Sequence, residues 1–439
     1  LDVIPSELIE SIEVKKSLTP DMDGDAVGGS VDLRLRNAPS GLSVDLLGQG
    51  GYTGLQDAYG NYKVVGTVSN RFWGDRVGLI ATLNTDSYDR SADKVSVGYG
   101  QSSDAETGES IAYVNSINTR EETVTRGRSG GSLLLDYTVP LGRVTANAFY
   151  NELRSDGFYR LQGATENNLN YSVQDVGGTV SVLTSALGIE QDFGAIRYDV
   201  TGSLTRSRAD NPGSTGFTFT DDGTGFTLGQ SGLFGVPALE FGPLLRVDST
   251  ITLSQVYVDD TRLDDNQTAL QLNVQAPFRL TSWLGGHIKT GGKLRWLDRT
   301  FDNNRRARGN LQYPDADLFQ CLEESVPGLA ESFADGSLPI TNVLSDYQRE
   351  SFLDGDFGFG LVPDFDMLMT VLNGLESERC SPNPASATAA GTASSSRVRS
   401  SVRWNSAASA LARRTSASPC SPTSTPSPGS ASSSTRTCT

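Results

Sequence analysis

The chain has 439 residues, with 36 basic and 52 acidic side chains, a net charge of −16 and a single histidine, His287. Six of the basic residues and none of the acidic ones lie in 381–439, so residues 1–380 carry a net charge of −22. This balance argues against nucleic-acid binding, which needs clustered positive charge. One histidine and four cysteines without a C-x-x-C pair exclude two-histidine zinc sites and a disulfide-dense scaffold.

The N-terminal stretch predicts a helix followed by two strands. Ser6, with acidic residues after it and apolar residues at helical spacing up to Ile12, predicts a short capped helix. Residues 12–16 then alternate as a strand. A turn-rich acidic segment, 19–25, leads through two glycines to a second alternating strand over 31–36.

The acidic turn has two interpretations. Asp21, Asp23 and Asp25 have the spacing of the first ligands in an EF-hand loop. However, Ala26 stands where that loop needs glycine, and Asp32 stands where it needs a bidentate glutamate. A solvated turn is therefore favoured over a calcium site, and no metal ligand is assigned.

Residues 41–301 are dominated by alternation of apolar and polar side chains, as in 194–208, where Tyr198 and Val200 alternate with Asp199 and Thr201. A soluble β-sandwich alternates in the same way, so this pattern alone does not identify the fold. The pattern predicts nine strands, at residues 42–52, 59–72, 76–90, 126–139, 143–155, 179–192, 195–208, 266–279 and 286–301.

The lengths of the connections favour a barrel. Short links are predicted at 73–75, 140–142, 193–194 and 282–285, and long links at 91–125, 156–178, 209–265 and 302–380. Apart from the short first link, 53–58, the two kinds alternate along the chain. Short turns at one rim and long loops at the other are typical of an up-and-down transmembrane barrel.

Two segments carry a family resemblance. The sequence Ser11-Ile12-Glu13-Val14-Lys15-Lys16, followed by Val27-Gly28-Gly29-Ser30-Val31, resembles the C-terminal part of the plug domain of TonB-dependent outer-membrane receptors. The run from Gly291 to Arg299 is similar to a mid-barrel strand of these receptors. With the barrel pattern, the resemblance covers about residues 1–380, although only the first thirty or so carry a sharp motif.

The resemblance implies an all-β fold: an incomplete antiparallel up-and-down transmembrane barrel preceded by the C-terminal end of a plug domain. The implied domains are the plug end at 1–36 and a partial barrel with long extracellular loops at 41–380. The family's barrels have more strands than the nine predicted here. The chain also begins at Leu1 inside what reads as a domain, so we expect a fragment of a longer receptor.

For function, the resemblance implies energised uptake of a bulky nutrient, such as a carbohydrate or a siderophore, across the bacterial outer membrane. The implied partners are outer-membrane lipid, a TonB-type energy-transducing complex of the inner membrane, and the extracellular ligand. No cofactor and no catalytic residues are expected, so the chain is not predicted to be an enzyme. The alternative is a secreted or surface β-sheet adhesin or binding protein without transport activity.

Two stretches have features of their own. The link at 209–265 contains GFTFTDDGTGFTLG, whose aromatic and acidic side chains can contact a polar ligand or pack locally. Residues 381–439 are rich in Ser, Ala, Thr and Pro and lack acidic residues, which indicates either a disordered linker or a frameshifted reading of a GC-rich gene.

The long link at 302–380 predicts structure of its own. Residues 314–322 and 363–372 each begin with Pro-Asp and continue with helical apolar spacing, which predicts two short helices. Cys321 and Cys380 accompany them and are a candidate disulfide in an oxidising exterior. Two unrelated thiols are the alternative.

Overall fold

The structure is a computed structural model that describes residues 9–16, 29–103, 108, 110–165, 168–222, 247, 249–279, 285–309, 320, 324, 337–355, 359–360, 362–376, 392–402 and 409–412. The strands are β1 Ile9–Lys15, β2 Ser30–Leu35, β3 Ser43–Thr53, β4 Ala58–Phe72, β5 Val77–Asp89, β6 Ala92–Ser103, β7 Ser110–Val139, β8 Gly142–Thr165, β9 Asn168–Asp192, β10 Arg197–Asp222, β11 Thr252–Arg279, β12 Gly285–Gly309, β13 Gln348–Arg349, β14 Phe359–Gly360, β15 Thr392–Val402 and β16 Ser409–Ala412. A helix, α1, spans Phe365–Glu376, and 3-10 turns span Ile340–Val343 and Phe352–Gly355. The predicted all-β fold class is confirmed.

The N-terminal segment forms an antiparallel hairpin of β1 and β2. The helix predicted up to Ile12 is wrong for residues 9–12, because these residues pair with β2. Lys15 forms an ion pair with Asp32 at 2.6 Å, and Arg34 forms one with Glu13, so cross-strand pairing outweighs the local helical spacing. Residues 1–8 and the acidic turn lie outside the described residues.

One antiparallel sheet of twelve strands makes up most of the molecule. The nine predicted strands correspond to β3, β4, β5 and β7 to β12, and each pairs with the next of these in chain order. β6 pairs with β7, while β15 and β16 pair with β12. Among the described residues, the edge at β3 is not joined to the edge at β15 and β16, so the sheet is up-and-down and open.

The links at 91–125 and 156–178 are largely strand, and both ends of the link at 209–265 are strand, which corrects the prediction that these three links are loops. β8 continues to Thr165 and β9 begins at Asn168; β10 continues to Asp222 and β11 begins at Thr252; β6 and the first half of β7 occupy most of 91–125. The alternation is interrupted where polar side chains lie on both faces, as at Arg154, Ser155 and Asp156, but ladder hydrogen bonds need no apolar face and continue through them. The short links at 73–75, 140–142 and 193–194 are confirmed as tight turns.

The register gives the sheet two different faces. One row runs across the strands as Leu79, Leu135, Ala146, Leu187, Gly202, Leu270 and Leu294. The row one residue along runs as Gly78, Asp136, Thr145, Gly188, Thr201, Gln271 and Lys293. We call the side of the first row the apolar face and the side of the second the polar face.

The extended ends of β7 to β11 carry a second apolar patch on the apolar face, and this patch is covered. The described residues of 337–376, which we call the cap, pack on it. Backbone hydrogen bonds join Leu253 to Leu338 at 2.9 Å and Ile340 to Ile251 at 2.8 Å. The buried side chains of this core include Ile117, Tyr171, Val173, Phe217, Phe219, Val256, Ile340, Val343, Phe352 and Leu368.

Helix α1 confirms the helix predicted at 363–372. Its Phe365 makes edge-on ring contacts with Phe158 at 5.2 Å and with Phe217 at 5.7 Å, so α1 fastens the cap to β8 and β10. In and just after the other predicted helix, at 314–322, the structure describes Gln320 and Glu324, and both are helical. Cys321 and Cys380 lie outside the described residues, so the candidate disulfide stays a prediction.

The tail contributes two strands to the sheet. β15 pairs with residues 295–305 of β12, and β16 pairs with 286–289. An edge strand presents unpaired backbone donors and acceptors, and a chain segment of almost any composition can satisfy them. The linker and frameshift hypotheses for 381–439 both stay open.

Replacement of Phe352 by alanine should release the cap. The Phe352 ring is fully buried and stacks on Phe359 at 4.8 Å, so its loss should cost about 3–5 kcal/mol of cap docking. Limited proteolysis of folded protein should then cut within the cap at lower protease concentration. The control is Phe193→Ala, because Phe193 is 58% exposed in a turn; equal sensitivity of both variants would contradict the assigned core.

Candidate functional site

A cluster of three charged side chains lies on the polar face close to the N-terminal hairpin. Arg71 on β4 donates hydrogen bonds to both carboxylate oxygens of Asp136 on β7, each at 3.1 Å. Arg143 on β8 approaches the same carboxylate at 3.2 Å. The Asp136 side chain is 10% exposed and the Arg71 side chain 14% exposed, so this arrangement is largely withdrawn from water. We call it the junction cluster.

The sheet register places these side chains, and a glycine makes room for them. Gly78 on β5 lies between Arg71 and Asp136 in the ladder. A Cβ atom at position 78 would lie 2.4 Å from Oδ1 of Asp136 and 3.0 Å from Cβ of Ala38. A side chain at position 78 would displace either the Asp136 carboxylate or the segment around Ala38.

The junction cluster holds the segment that links β2 to β3. Nε of Arg71 donates to the Ala38 carbonyl at 2.8 Å, and Nη2 of Arg143 donates to Oδ1 of Asn37 at 2.6 Å. Ala38 is buried. A cavity of about 460 Å³ lies between the hairpin and this part of the sheet, and its lining includes Glu10 and Asp136. The linker that follows the hairpin is therefore fastened to the polar face.

A second cavity, of about 450 Å³, lies on the polar face where β5, β6 and β7 meet. Its lining includes four cations and two acids: Arg90, Lys94, Arg126, Arg128, Asp86 and Glu122. We call it the basic cavity. It stands out because the chain as a whole is strongly acidic.

The cap is joined to the sheet by buried charges as well as by its apolar core. The Glu121 side chain, 2% exposed, accepts hydrogen bonds from Arg160 at 2.9 Å and from Arg349 at 3.0 Å. The Tyr347 hydroxyl donates to the same carboxylate. Arg349 also pairs with Asp93 at 2.8 Å. Two cap residues thus pair with buried acids on β6 and β7, and Glu121 has a further partner on the sheet in Arg160.

Burial raises the pKa of Tyr347 to about 12, and its hydrogen bond to Glu121 acts in the same direction. The neutral phenol is therefore the form that fits between the cap and the sheet. Ionisation would remove the donated hydrogen bond and set a second negative charge beside the Glu121 carboxylate.

For the described aromatic residues of 209–265, the structure favours local packing over ligand contact. Phe217 and Phe219 of the GFTF sequence are fully buried beneath the cap, so local packing, and not ligand contact, explains them. The rest of that sequence after Asp222 lies outside the described residues. His287 lies in β12, opposite Pro277 and Leu411. In the described ranges no three His, Cys, Asp or Glu side chains are grouped to hold a metal ion.

Sequence reasoning did not find the junction cluster. Arg71 and Asp136 are 65 residues apart, and each resembles any other charged residue near a strand end. In the sequence, Arg71 and Asp136 are recognisable only as charged residues close to predicted short turns. Many other residues have the same feature, so it does not single out these two.

Comparison with protein-family models and with curated proteins finds no match for this chain. Among the described residues, no helix is both long and apolar enough to cross a membrane.

Replacement of Asp136 by asparagine should destabilise the sheet and loosen the hairpin. Two arginines would lose their shared carboxylate in a largely buried position, at a cost of about 3 kcal/mol. Urea unfolding in detergent, followed by circular dichroism, measures the loss. Asp156→Asn is the matched control, because the Arg154–Asp156 pair is 70% and 59% exposed and should contribute less than about 1 kcal/mol. Equal losses would show that the junction cluster is not a stabilising contact.

Alkaline pH should weaken cap docking through Tyr347. The phenol ionises near pH 10 in the released cap, but its pKa is about 12 in the docked one. Between these two pKa values the docked cap keeps the phenol proton that the released cap has lost. The free energy of cap docking therefore becomes less favourable as the pH rises from about 10 to 12. Proteolysis of the cap across this range should show the fall in the wild type and a smaller fall in Tyr347→Phe. Identical pH profiles would rule out this role for Tyr347.

Proposed function

We propose that this chain is the plug end and N-terminal barrel portion of a TonB-dependent outer-membrane receptor that takes up a bulky nutrient. The observation that carries the proposal is the difference between the two faces of one sheet. One face exposes apolar side chains to the surroundings, whereas the other is polar and holds the N-terminal hairpin.

The exposed apolar band supports a lipid environment. Leu46 is 83% exposed, Leu83 73% and Leu187 53%. In the ladder, Leu46 and Leu83 flank Gly66, and Leu187 pairs with Ala146. A soluble protein rarely leaves such a continuous apolar surface in water. Membrane hydrocarbon would cover this band, as it covers the outer face of transmembrane barrels.

Charged residues on the apolar face mark the level along the strands at which the apolar band ends. Moving along the strands from the short turns, apolar residues give way to the ion pairs Arg154–Asp156 at 3.1 Å, Arg208–Asp210 at 2.7 Å and Arg262–Asp264 at 2.7 Å. We call these pairs the charged belt. The belt begins where hydrocarbon would end, so the ends of the strands beyond it, with the cap, project into water.

Strand length is consistent with this division. The strands β7 to β12 contain 24 to 30 residues, whereas a tilted strand crosses a membrane in about 9–11 residues. The half nearest the short turns is long enough to cross, and the other half forms an extracellular extension.

The polar face would be the lumen, and the junction cluster would fix the plug to its wall. Arg71 and Arg143 hold the linker backbone at Ala38 and the side chain of Asn37, so force applied to the plug through an inner-membrane complex would meet a fixed point there. The plug could rearrange while its last residues stay on the barrel. The outer membrane is the proposed location, with lipid, a TonB-type complex and an extracellular nutrient as partners.

A charged substitution on the apolar face should prevent membrane insertion. Leu270→Arg places a cation in the band, where a charge facing lipid costs about 2–4 kcal/mol. The neighbouring Gln271→Arg places the same cation on the polar face and is the matched control. Folding into lipid vesicles, followed by protection from added protease, should fail for Leu270→Arg alone.

Two outcomes would contradict the proposal. One is equal behaviour of the two arginine variants in vesicles. The other is a wild-type chain that stays a stable monomer in buffer without detergent, which would favour the surface-binding alternative.

A further inference from the structure

The basic cavity concentrates positive charge within a chain of net charge −16. Its two acids are already engaged: Asp86 pairs with Arg128 at 3.1 Å, and Glu122 pairs with Lys94 at 2.7 Å and with Arg120 at 3.2 Å. The lining as a whole therefore contains more cations than acids. A cavity whose lining carries an excess of one sign of charge attracts small ions of the opposite sign.

The wall of the cavity is not purely ionic. The guanidinium of Arg90 lies 5.2 Å from the centre of the Tyr88 ring, and Leu153 adds an apolar side chain across the cavity. Stacking on a ring orients a guanidinium, so its donors point in a defined direction. Such a wall suits a carbon skeleton that carries charged groups better than it suits a bare inorganic ion.

The position of the cavity fits a route through the protein. Tyr88, Arg126 and Leu153 all lie on the polar face, and Lys94 and Glu122 lie farther from the short turns than Arg128 does. The cavity therefore begins level with the charged belt and extends beyond it, away from the short turns. A ligand arriving from outside would meet the cavity before it reached the hairpin.

We propose that the basic cavity binds a small organic anion carrying carboxylate or phosphate groups. The volume of about 450 Å³ lies within the usual range for small-molecule sites. Arginine forks bind either oxyanion in a bidentate manner. This inference names the ligand class of the transport function proposed above and rests on it.

Isothermal titration of the full chain in neutral detergent micelles tests the site, with citrate and pyrophosphate as anionic probes and sucrose as a neutral probe. We expect one of the anions to bind, sucrose not to bind, and affinity to fall as salt is added. Arg90→Gln should weaken binding at least about tenfold, since it removes a charged donor. Arg154→Gln, in the charged belt on the opposite face, should leave binding unchanged.

Circular dichroism must first show equal strand content in the two variants, and Arg90→Lys, which keeps the charge, should retain more affinity than Arg90→Gln. No binding of either anion, or equal effects of the two glutamine variants, would overturn the anion site. Vesicle insertion of Leu270→Arg and Gln271→Arg separates the two proposals. Insertion without anion binding would overturn the ligand class alone, whereas Arg90-dependent binding by a chain that never inserts would overturn transport alone.

Discussion

Most of the structure depends on the antiparallel register of one sheet, which is continuous except at bulges such as those between Asn211 and Ser214 and between Thr218 and Phe219 of β10. From β3 to β12, each of the nine main strands pairs with the next one along its length, so a side chain's face is set by its position in the ladder. A shift of one residue at any strand would exchange the two faces beyond it. The apolar band, the junction cluster and the basic cavity all follow from this one constraint.

The apolar face is used twice, for two purposes. Near the short turns it is exposed, and beyond the charged belt it becomes the floor of the cap's core. On β8 the order along the strand is Ala146 and Ala148, then Arg154 and Asp156, then buried Ala164; β10 and β11 follow the same order. The ion pairs therefore separate an apolar surface that needs an external partner from one that the chain covers itself.

The junction cluster and the ion pairs of Glu121 each pair a largely buried carboxylate with two arginines, but they hold different parts of the chain in place. In the junction cluster, one carboxylate serves two arginines and thereby fixes a linker on the polar face. Beneath the cap, Glu121 serves Arg160 on the sheet and Arg349 on the cap, so the charge is fully paired only when the cap is docked. Buried charges contribute little net stability but penalise their own separation strongly, which favours one arrangement over its alternatives.

The sequence by itself determined the strand positions near the short turns, their order and the helix at 363–372, because alternation, turn residues and helical spacing are local properties. It did not determine how far the strands continue, since backbone ladders extend through residues whose side chains alternate weakly. It also misassigned residues 9–12, whose pairing partners lie about twenty residues away in β2. The junction cluster, the basic cavity and the burial of Phe217 and Phe219 were decided by tertiary structure alone. Each of them depends on which residues of distant strands lie side by side, and that is a property of the register that no local pattern encodes.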